Sequence, residues 1–356
     1  LLAPEHPARM VWEVTGRLDL SGFYEAIAAR GPTPGRSATD PRLLVALWLY
    51  ALIEGVGKGR QQAPLCQEHD PYRWLCGGLK PKYHTLNDFR TGQEKALDEL
   101  FTQVLALLMD QKLVQVKRIS QDGTKVRASA GTHSFRRRPR LEMFLEQARA
   151  RVAALKAQAD DAPSLSAQQK AAQERAARQR QERIEAALAQ MPKLEAIKAA
   201  QRQDKPASRQ APRVSTTDPE ARRMKMADGG FAPAYNVQIA TDPQSRAIVA
   251  IQVTDHGTDH GEDAPLRQQV QQRTGAVVQE HLVDGGYVKK EAIEAAAAQG
   301  VALYAPLPAT GKEGAVCRHN PNDSPAVAAW RQRMTSPAGQ EAYKQRAATS
   351  ETVNAD

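Results

Sequence analysis

Two aspartates stand out among the residues that could do chemistry. Asp122 closes the segment Val116-Lys117-Arg118-Ile119-Ser120-Gln121 and is followed by Gly123. Asp284 closes His281-Leu282-Val283 and is followed by Gly285 and Gly286. Both segments read as strands, the first alternating and the second short and buried. Active sites of α/β sheets gather at such strand ends, where the loops converge. A lone aspartate there is more often a turn former or a helix cap, so the signal lies in having two. A third acid, Glu351, comes from the helix-rich stretch Arg331–Glu351, 67 residues beyond Asp284. Three converging carboxylates suit hard divalent cations such as Mg²⁺, which prefer oxygen ligands. Two such ions about 3.5–4 Å apart activate a water or a 3′-hydroxyl and stabilise the leaving oxygen of a phosphodiester. Phosphoryl transfer needs positioning and charge neutralisation more than covalent chemistry, so three acids suffice.

Basic residues accompany the acids. Lys125 and Arg127 lie just past Asp122 and are placed to hold phosphates, and Lys289 and Lys290 follow Asp284. Ser215-Thr216-Thr217-Asp218-Pro219-Glu220-Ala221-Arg222-Arg223 reads as a helix start followed by bases. Arg222, Arg223 and Lys225 there would either rest on a DNA backbone or sit in a surface loop. His256 and His260 are four apart, a zinc spacing on a helix. Gly257 and Gly261 argue against a helix, and no convincing third ligand is near. Asp255–His260 therefore reads as a polar loop at the edge of the active site. The glycine pairs 229–230 and 285–286 make no dinucleotide fingerprint.

The elements that must position these residues differ along the chain. Residues 1–115 read as helical. Asp40-Pro41 is an N-cap with proline at the first helical position, and Leu43, Leu44, Leu47, Trp48, Tyr50 and Leu52 bury much of that helix. Gly55-Val56-Gly57 ends it, a second helix covers about Gln61–Glu68, and Thr85 caps a third that runs to Leu113. Short helices with glycine-containing joints suit a helix-turn-helix-like DNA module; a helical packing domain is the alternative. Residues 116–356 alternate strands and helices and predict an α/β domain with a mixed sheet. In them, 234–240 and 246–253 form a hairpin around the turn Asp242-Pro243-Gln244-Ser245. Glu262–Gln272 and Lys289–Gln299 are helices, and Val301–Pro306 is a strand. Residues 139–210 interrupt this pattern. Leu141, Leu145, Ala148, Val152 and Leu155 form a heptad seam, and Ile184, Leu188, Met191, Leu194 and Ile197 form a second stripe. With a turn at Asp160–Ser164, they predict an inserted coiled-coil hairpin.

Composition sets the outer bounds. The chain has 356 residues, 41% apolar and 25% charged, which fits globular domains and argues against general disorder. Net charge is +9, which points to a polyanionic partner, most often nucleic acid. From Arg136 to Arg209 there are 17 Lys or Arg against nine Asp or Glu, a net of +8, so nearly all the excess lies in that one stretch. A solvated coiled-coil face accounts for most of those arginines, and phosphate contact is the second reading. Cys66, Cys76 and Cys317 fit neither a disulfide framework nor a zinc site and read as thiols in a reducing compartment. The longest apolar run, Leu43–Ile53, is too short for a bilayer, which needs about 20 residues. No signal peptide is visible. The first residue is Leu1 and no helix stop precedes Asp356, so both ends are expected to be cut.

Three segments carry a family resemblance. Ile119-Ser120-Gln121-Asp122-Gly123-Thr124-Lys125-Val126-Arg127-Ala128, Tyr235-Asn236-Val237-Gln238-Ile239-Ala240 and Val283-Asp284-Gly285-Gly286-Tyr287 resemble the DDE transposases of bacterial insertion sequences. They are most similar to the group that joins an InsH-like N-terminal domain to a ribonuclease H-like core. Asp40-Pro41-Arg42-Leu43-Leu44, Leu49-Tyr50-Ala51 and Thr85-Leu86-Asn87-Asp88-Phe89-Arg90 are similar to that N-terminal domain, so the resemblance spans nearly the whole chain.

The resemblance implies a ribonuclease H-like mixed sheet with an inserted helical coiled-coil hairpin, preceded by an all-α domain for recognising DNA ends. It implies Asp122, Asp284 and Glu351 as catalytic and metal-binding acids for two Mg²⁺ or Mn²⁺ ions. Tyr343 and Arg346 match the Tyr-x-x-Arg element that precedes the glutamate in relatives and contacts the transposon end. Many relatives continue past the glutamate with a Pro-Val-Phe-Gly-like run and a lysine; here Thr352-Val353-Asn354-Ala355-Asp356 follows, with no lysine to assign. The implied partners are terminal inverted repeats and target DNA, bound by a homodimer in the cytoplasm and at the nucleoid. A catalytically inactive DNA-binding remnant and a stand-alone nuclease of the same fold are the alternatives. Intact acids favour catalysis over a remnant, and the extra helical domain favours end recognition over a general nuclease.

Overall fold

Local chemistry sets the helix starts of the N-terminal part. The Asp40 carboxylate accepts from the Arg42 backbone N–H, and Pro41 takes the first helical position, where its missing N–H costs nothing. The helix that follows is buried on most sides through Leu43, Leu44, Leu47 and Tyr50. The computed structural model describes residues 2–25, 27, 38–157, 166–202, 211–310, 315–316 and 320–355. It divides into two compact units, Leu1–Gln115 and Val116–Asp356. Among the described residues no helix is long and apolar enough to cross a membrane.

The first unit is helical: α1 (Pro7–Arg17), α2 (Ser21–Glu25), α3 (Pro41–Ile53), α4 (Gly59–Glu68), α5 (Asp70–Cys76), α6 (Tyr83–Gly92) and α7 (Glu94–Asp110). The helix expected from Thr85 to Leu113 is two helices. Gln93 leaves helical geometry (φ −120°, ψ 32°) and separates α6 from α7, and Thr85 lies inside α6, not at its cap. Two polar side chains inside donate to backbone carbonyls. Trp48 Nε1 donates to the Leu86 carbonyl at 3.0 Å, and Gln62 Nε2 donates to the Leu47 carbonyl at 2.8 Å.

The second unit opens with β1 (Arg118–Arg127) and β2 (Phe135–Arg136), then α8 (Arg138–Ala157), α9 (Ala167–Arg202), β3 (Val214–Ser215) and β4 (Arg222–Lys225). It continues with β5 (Phe231–Thr241), β6 (Ile248–Thr254), α10 (Asp263–Thr274), β7 (Glu280–Leu282), α11 (Lys290–Ala298) and β8 (Ala302–Tyr304). After β9 (Ala309–Thr310) and β10 (Ala315–Val316) come α12 (Pro325–Thr335) and α13 (Pro337–Ala355). The fold is mixed α/β. The main sheet runs β4-β5-β1-β7-β8, with β6 also paired to β5. β4, β6 and β1 are antiparallel to β5, while β7 and β8 run parallel to β1. Leaving β4 aside and counting β1, β5, β6, β7 and β8 in chain order, the strands stand third, second, first, fourth, fifth across the sheet.

Two local expectations are corrected. β1 does not stop at Asp122, because β5 offers it backbone partners from Ser120 to Arg127. The segment after Ser215 does not start a helix. The Ser215 hydroxyl accepts from the N–H groups of Thr217 and Asp218 and closes a turn, and Arg222–Lys225 is then recruited as a strand by β5.

α8 and α9 run antiparallel, as the ion pairs Arg138–Glu195 and Arg149–Glu185 require. Leu141, Ala187 and Met191 close a small apolar cluster with Val214 of β3. α9 is also tied to the sheet: Gln190 accepts from Arg222 at 3.0 Å, and Lys193 approaches Asp255 at 3.3 Å. The turn expected at Asp160–Ser164 lies outside the described residues, as does Cys317.

Candidate active site

The site grows from unequal strand lengths. β7 pairs with β1 only from Arg118 to Ser120 and ends at Leu282, while β1 runs on to Arg127 with β5 alone beside it. The loop Val283–Tyr287 fills the place β7 leaves, and it carries Asp284 next to Asp122. Successive residues of β1 point to opposite faces. Arg118 donates to Gln345 of α13, and Asp122, of the same parity, meets Arg346 of α13. Gln121 faces the other way, towards the start of α10, where its amide donates to the Glu262 carbonyl at 3.1 Å.

Arg346 joins the two acids. Its Nη2 lies 3.2 Å from Asp122 Oδ1 and 4.0 Å from Asp284 Oδ2, and its side chain is 16% exposed. Burial pushes the Asp122 carboxyl up from its ordinary range; Arg346 and the Gly123 N–H pull it down, and Asp284 and Asp259 push it up again. Tyr343, one turn before Arg346, donates to the Val283 carbonyl at 3.2 Å and pins the loop that carries Asp284. Burial raises the Tyr343 hydroxyl above its usual range, so it stays a donor.

On the other side of β1 a chain of buried amides leads to Asp259. Gln238 Oε1 accepts from Gln121 Nε2 at 2.7 Å and from the Tyr287 hydroxyl. With its oxygen so engaged, Gln238 must turn Nε2 outward, and Nε2 donates to Asp259 Oδ1 at 2.8 Å. Asn236 Nδ2 donates to the same oxygen at 2.8 Å. Gln121, Asn236 and Gln238 are fully buried. Gly123 and Gly286 leave room for this arrangement. A Cβ on Gly123 would stand 2.4 Å from Gln238 Nε2 and 2.5 Å from Asp259 Oδ1. A Cβ on Gly286 would stand 2.9 Å from Asp284 Oδ1 and 3.7 Å from Asp259 Oδ2. Asp259 was not among the expected acids. Its signal in the sequence is the pair Gly123 and Gly286, one and two residues past the expected aspartates.

Residues 2–92 match the family model described as a transposase domain (DUF772). No curated protein and no solved structure matches the chain. The matched segment lies in the first unit and Asp122, Asp284 and Asp259 in the second, so what the acids do must be argued from their own geometry.

The expected basic residues are differently placed. Arg127 is exposed and pairs with Asp228 at 3.2 Å. Lys125 is half-buried on β1, and Arg223, Lys225 and Lys289 are exposed. Arg222 is 11% exposed and held by Asp255 at 2.9 Å and by Gln190, so it ties β4 to its neighbours. Lys290 pairs with Asp323 at 2.9 Å. Glu351 lies in the last turns of α13, and its side chain is outside the described residues. His256 turns to the buried Glu262 at 2.5 Å, while His260 is exposed. Among the described residues no three His, Cys, Asp or Glu side chains stand close enough to hold a metal ion. The groups that face one another are nonetheless carboxylate oxygens, the donor set of a hard cation. A guanidinium already lies between two of them, so the residues present fit a site that attracts positive charge.

Proposed function

We propose that the chain is a DNA transposase of the DDE type, whose second unit cuts transposon ends and joins them to target DNA. The observation that carries this reading is the meeting of Asp122 and Asp284, 162 residues apart in sequence, at the single guanidinium of Arg346. The transposase domain in the first unit supports it. The strand order third-second-first-fourth-fifth, with the first three antiparallel and the last two parallel to the first, supports a ribonuclease H-like core. The antiparallel pair α8 and α9 supports an inserted coiled-coil hairpin.

In this reading Asp122 and Asp284 hold Mg²⁺ or Mn²⁺, and Glu351 reaches the same ions from α13. When bound, the ions supply the charge that activates the attacking oxygen and stabilises the leaving one. The chain's own residues set the stage. Asp122, short of water, favours any cation that neutralises it. Arg346 holds the acids together and turns to a DNA phosphate once they are neutralised by other means. Tyr343 keeps the loop of Asp284 in register with β1. Lys125, Arg127, Arg223, Lys225 and Lys289 contact the phosphate backbone. Cutting and joining at two ends calls for a homodimer on terminal inverted repeats and target DNA.

The test uses the full chain, Mg²⁺ and duplexes bearing the inverted repeats that flank the reading frame. Nicking at the repeat ends is expected. Asp122→Asn and Asp284→Asn are expected to lower it roughly 100-fold or more, since each removes a charge the reaction relies on. Glu351→Gln should do the same. End binding should stay near the parent level, because backbone contacts by bases elsewhere supply it. An Asp284→Asn protein that nicks like the parent would sink the reading.

A further inference from the structure

We propose that Asp259 is a further carboxylate of this site and offers Oδ2 to a divalent cation on the Asp284 side; the inference rests on the cation-dependent reading above. Its two oxygens are used differently. Oδ1 takes both amide donors, Asn236 Nδ2 and Gln238 Nε2, each at 2.8 Å. No hydrogen bond to Oδ2 is found among the described residues. Oδ2 lies 3.7 Å, and Asp284 Oδ1 2.9 Å, from the same point beside Gly286. One oxygen thus fixes the carboxylate and the other is left towards Asp284.

The anchoring is more than a surface hydrogen bond needs. Gln238 is oriented by Gln121 and by Tyr287, and Tyr287 belongs to the loop that carries Asp284. One buried chain of amides therefore couples Asp259 to β1 and to the Asp284 loop together. A second observation points to a ligand. Asn236 is 0% exposed, and its Oδ1 has no hydrogen-bond partner. That oxygen lies 3.1 Å from the point beside Gly123 to which Asp259 Oδ1 comes within 2.5 Å. A buried carbonyl oxygen without a donor is costly unless something positive answers it. Carboxylate and amide oxygens with no nitrogen or sulfur donor suit Mg²⁺ or Mn²⁺.

Mn²⁺ titration of the DNA-free full chain, with free ion read by electron paramagnetic resonance, tests the proposal. Asp259→Asn is expected to weaken Mn²⁺ binding roughly 10- to 100-fold. An asparagine keeps one oxygen for the Asn236 and Gln238 amides, so the sheet should stay intact, and thermal unfolding in chelator checks this. Asp259→Asn with parent affinity, beside Asp284→Asn with lost affinity, would overturn the role of Asp259 and leave the transposase reading standing. A parent that neither binds Mn²⁺ nor nicks DNA would overturn that reading itself. A second measurement needs no variant: Fe²⁺ with ascorbate and peroxide cuts backbone next to the bound ion. Cuts are expected near residue 259 as well as near 122 and 284; cuts near 122 and 284 alone would overturn the proposal.

Discussion

In the first unit the buried side chains are almost all apolar, and Thr15 and Gln62 are the polar exceptions among the described residues. In the second unit, about twice as long, thirteen polar or charged side chains are buried among the described residues, and Gln121, Asn236 and Gln238 stand side by side in the middle of the sheet. An apolar interior is stabilised by burial and tolerates substitutions of similar volume. A hydrogen-bonded polar interior gains little net stability but holds each group in one orientation. The first unit is thus built to be folded, and the sheet of the second to hold carboxylates in place. Arginine shows the same contrast. Arg42 lies 3.9 Å over the Trp12 ring and caps an apolar cluster, whereas Arg346 spans two acids.

Substitutions in the two interiors should therefore separate stability from site chemistry. The largest effect on stability is expected from Leu47→Ala. Leu47 is fully buried, and truncation should cost about 2–5 kcal/mol in the unfolding of the first unit. Mn²⁺ binding by the second unit should not change; a loss of affinity would show that the units are not separate in this respect. Gln238→Leu should come next. It strands the Tyr287 hydroxyl, at about 1–3 kcal/mol for a buried group left unsatisfied, and leaves the Gln121 amide and Asp259 Oδ1 with one partner each. It should also leave Asp259 held by Asn236 alone and weaken Mn²⁺ binding, which Leu47→Ala should not. Gly123→Ala should be smaller in stability and similar in affinity. Its Cβ would enter the space shared by Gln238 Nε2 and Asp259 Oδ1, a strain of about 1–3 kcal/mol that some side-chain movement relieves. Unchanged Mn²⁺ affinity in Gly123→Ala would show that the close approach of Asp259 has no bearing on the site.

How far these features could be read from sequence differs between the units. Caps, prolines and apolar spacing located α3, α4 and the run that holds α6 and α7, because helices are set by neighbours in the chain; α1, α2 and α5 were not read, and the break at Gln93 carries no such mark. In the second unit the alternation of 234–240 gave the period of β5 but not its sense. Asn236 and Gln238 face inward, while Tyr235, Val237 and Ile239 are half-exposed. A period of two does not say which set is buried when the inner face is polar. Asp122 and Asp284 were legible as residues preceding glycine. Their meeting depends on parallel pairing across 162 residues and on β7 stopping short of β1, which no local pattern encodes. Asp259 sits in a polar loop, and only the register of β1 against β5 shows why glycine is needed opposite it.

The smallest expected effect concerns a buried group away from the acids. His281 of β7 is fully buried, and its Nδ1 lies 3.0 Å from Arg267 Nη1, which also pairs with Asp263 at 2.7 Å. Burial first, and the Arg267 charge second, hold the His281 imidazole well below its ordinary value of 6.5, so it is neutral in the fold. On unfolding it takes up a proton at any pH below 6.5. The unfolded state then binds more protons, so stability rises with pH up to about 6.5 and is level above it. As pH falls below 6.5 this one group should remove about 1.4 kcal/mol per unit until its folded value is reached. His281→Asn keeps an acceptor for Arg267 and removes the titration. Urea unfolding of the second unit, followed from pH 7 to pH 5, should lose that much less slope in the variant than in the parent. Equal slopes would mean that His281 is protonated inside the fold, with Asp263 answering its charge, and that this part of the polar interior is ionic and not neutral.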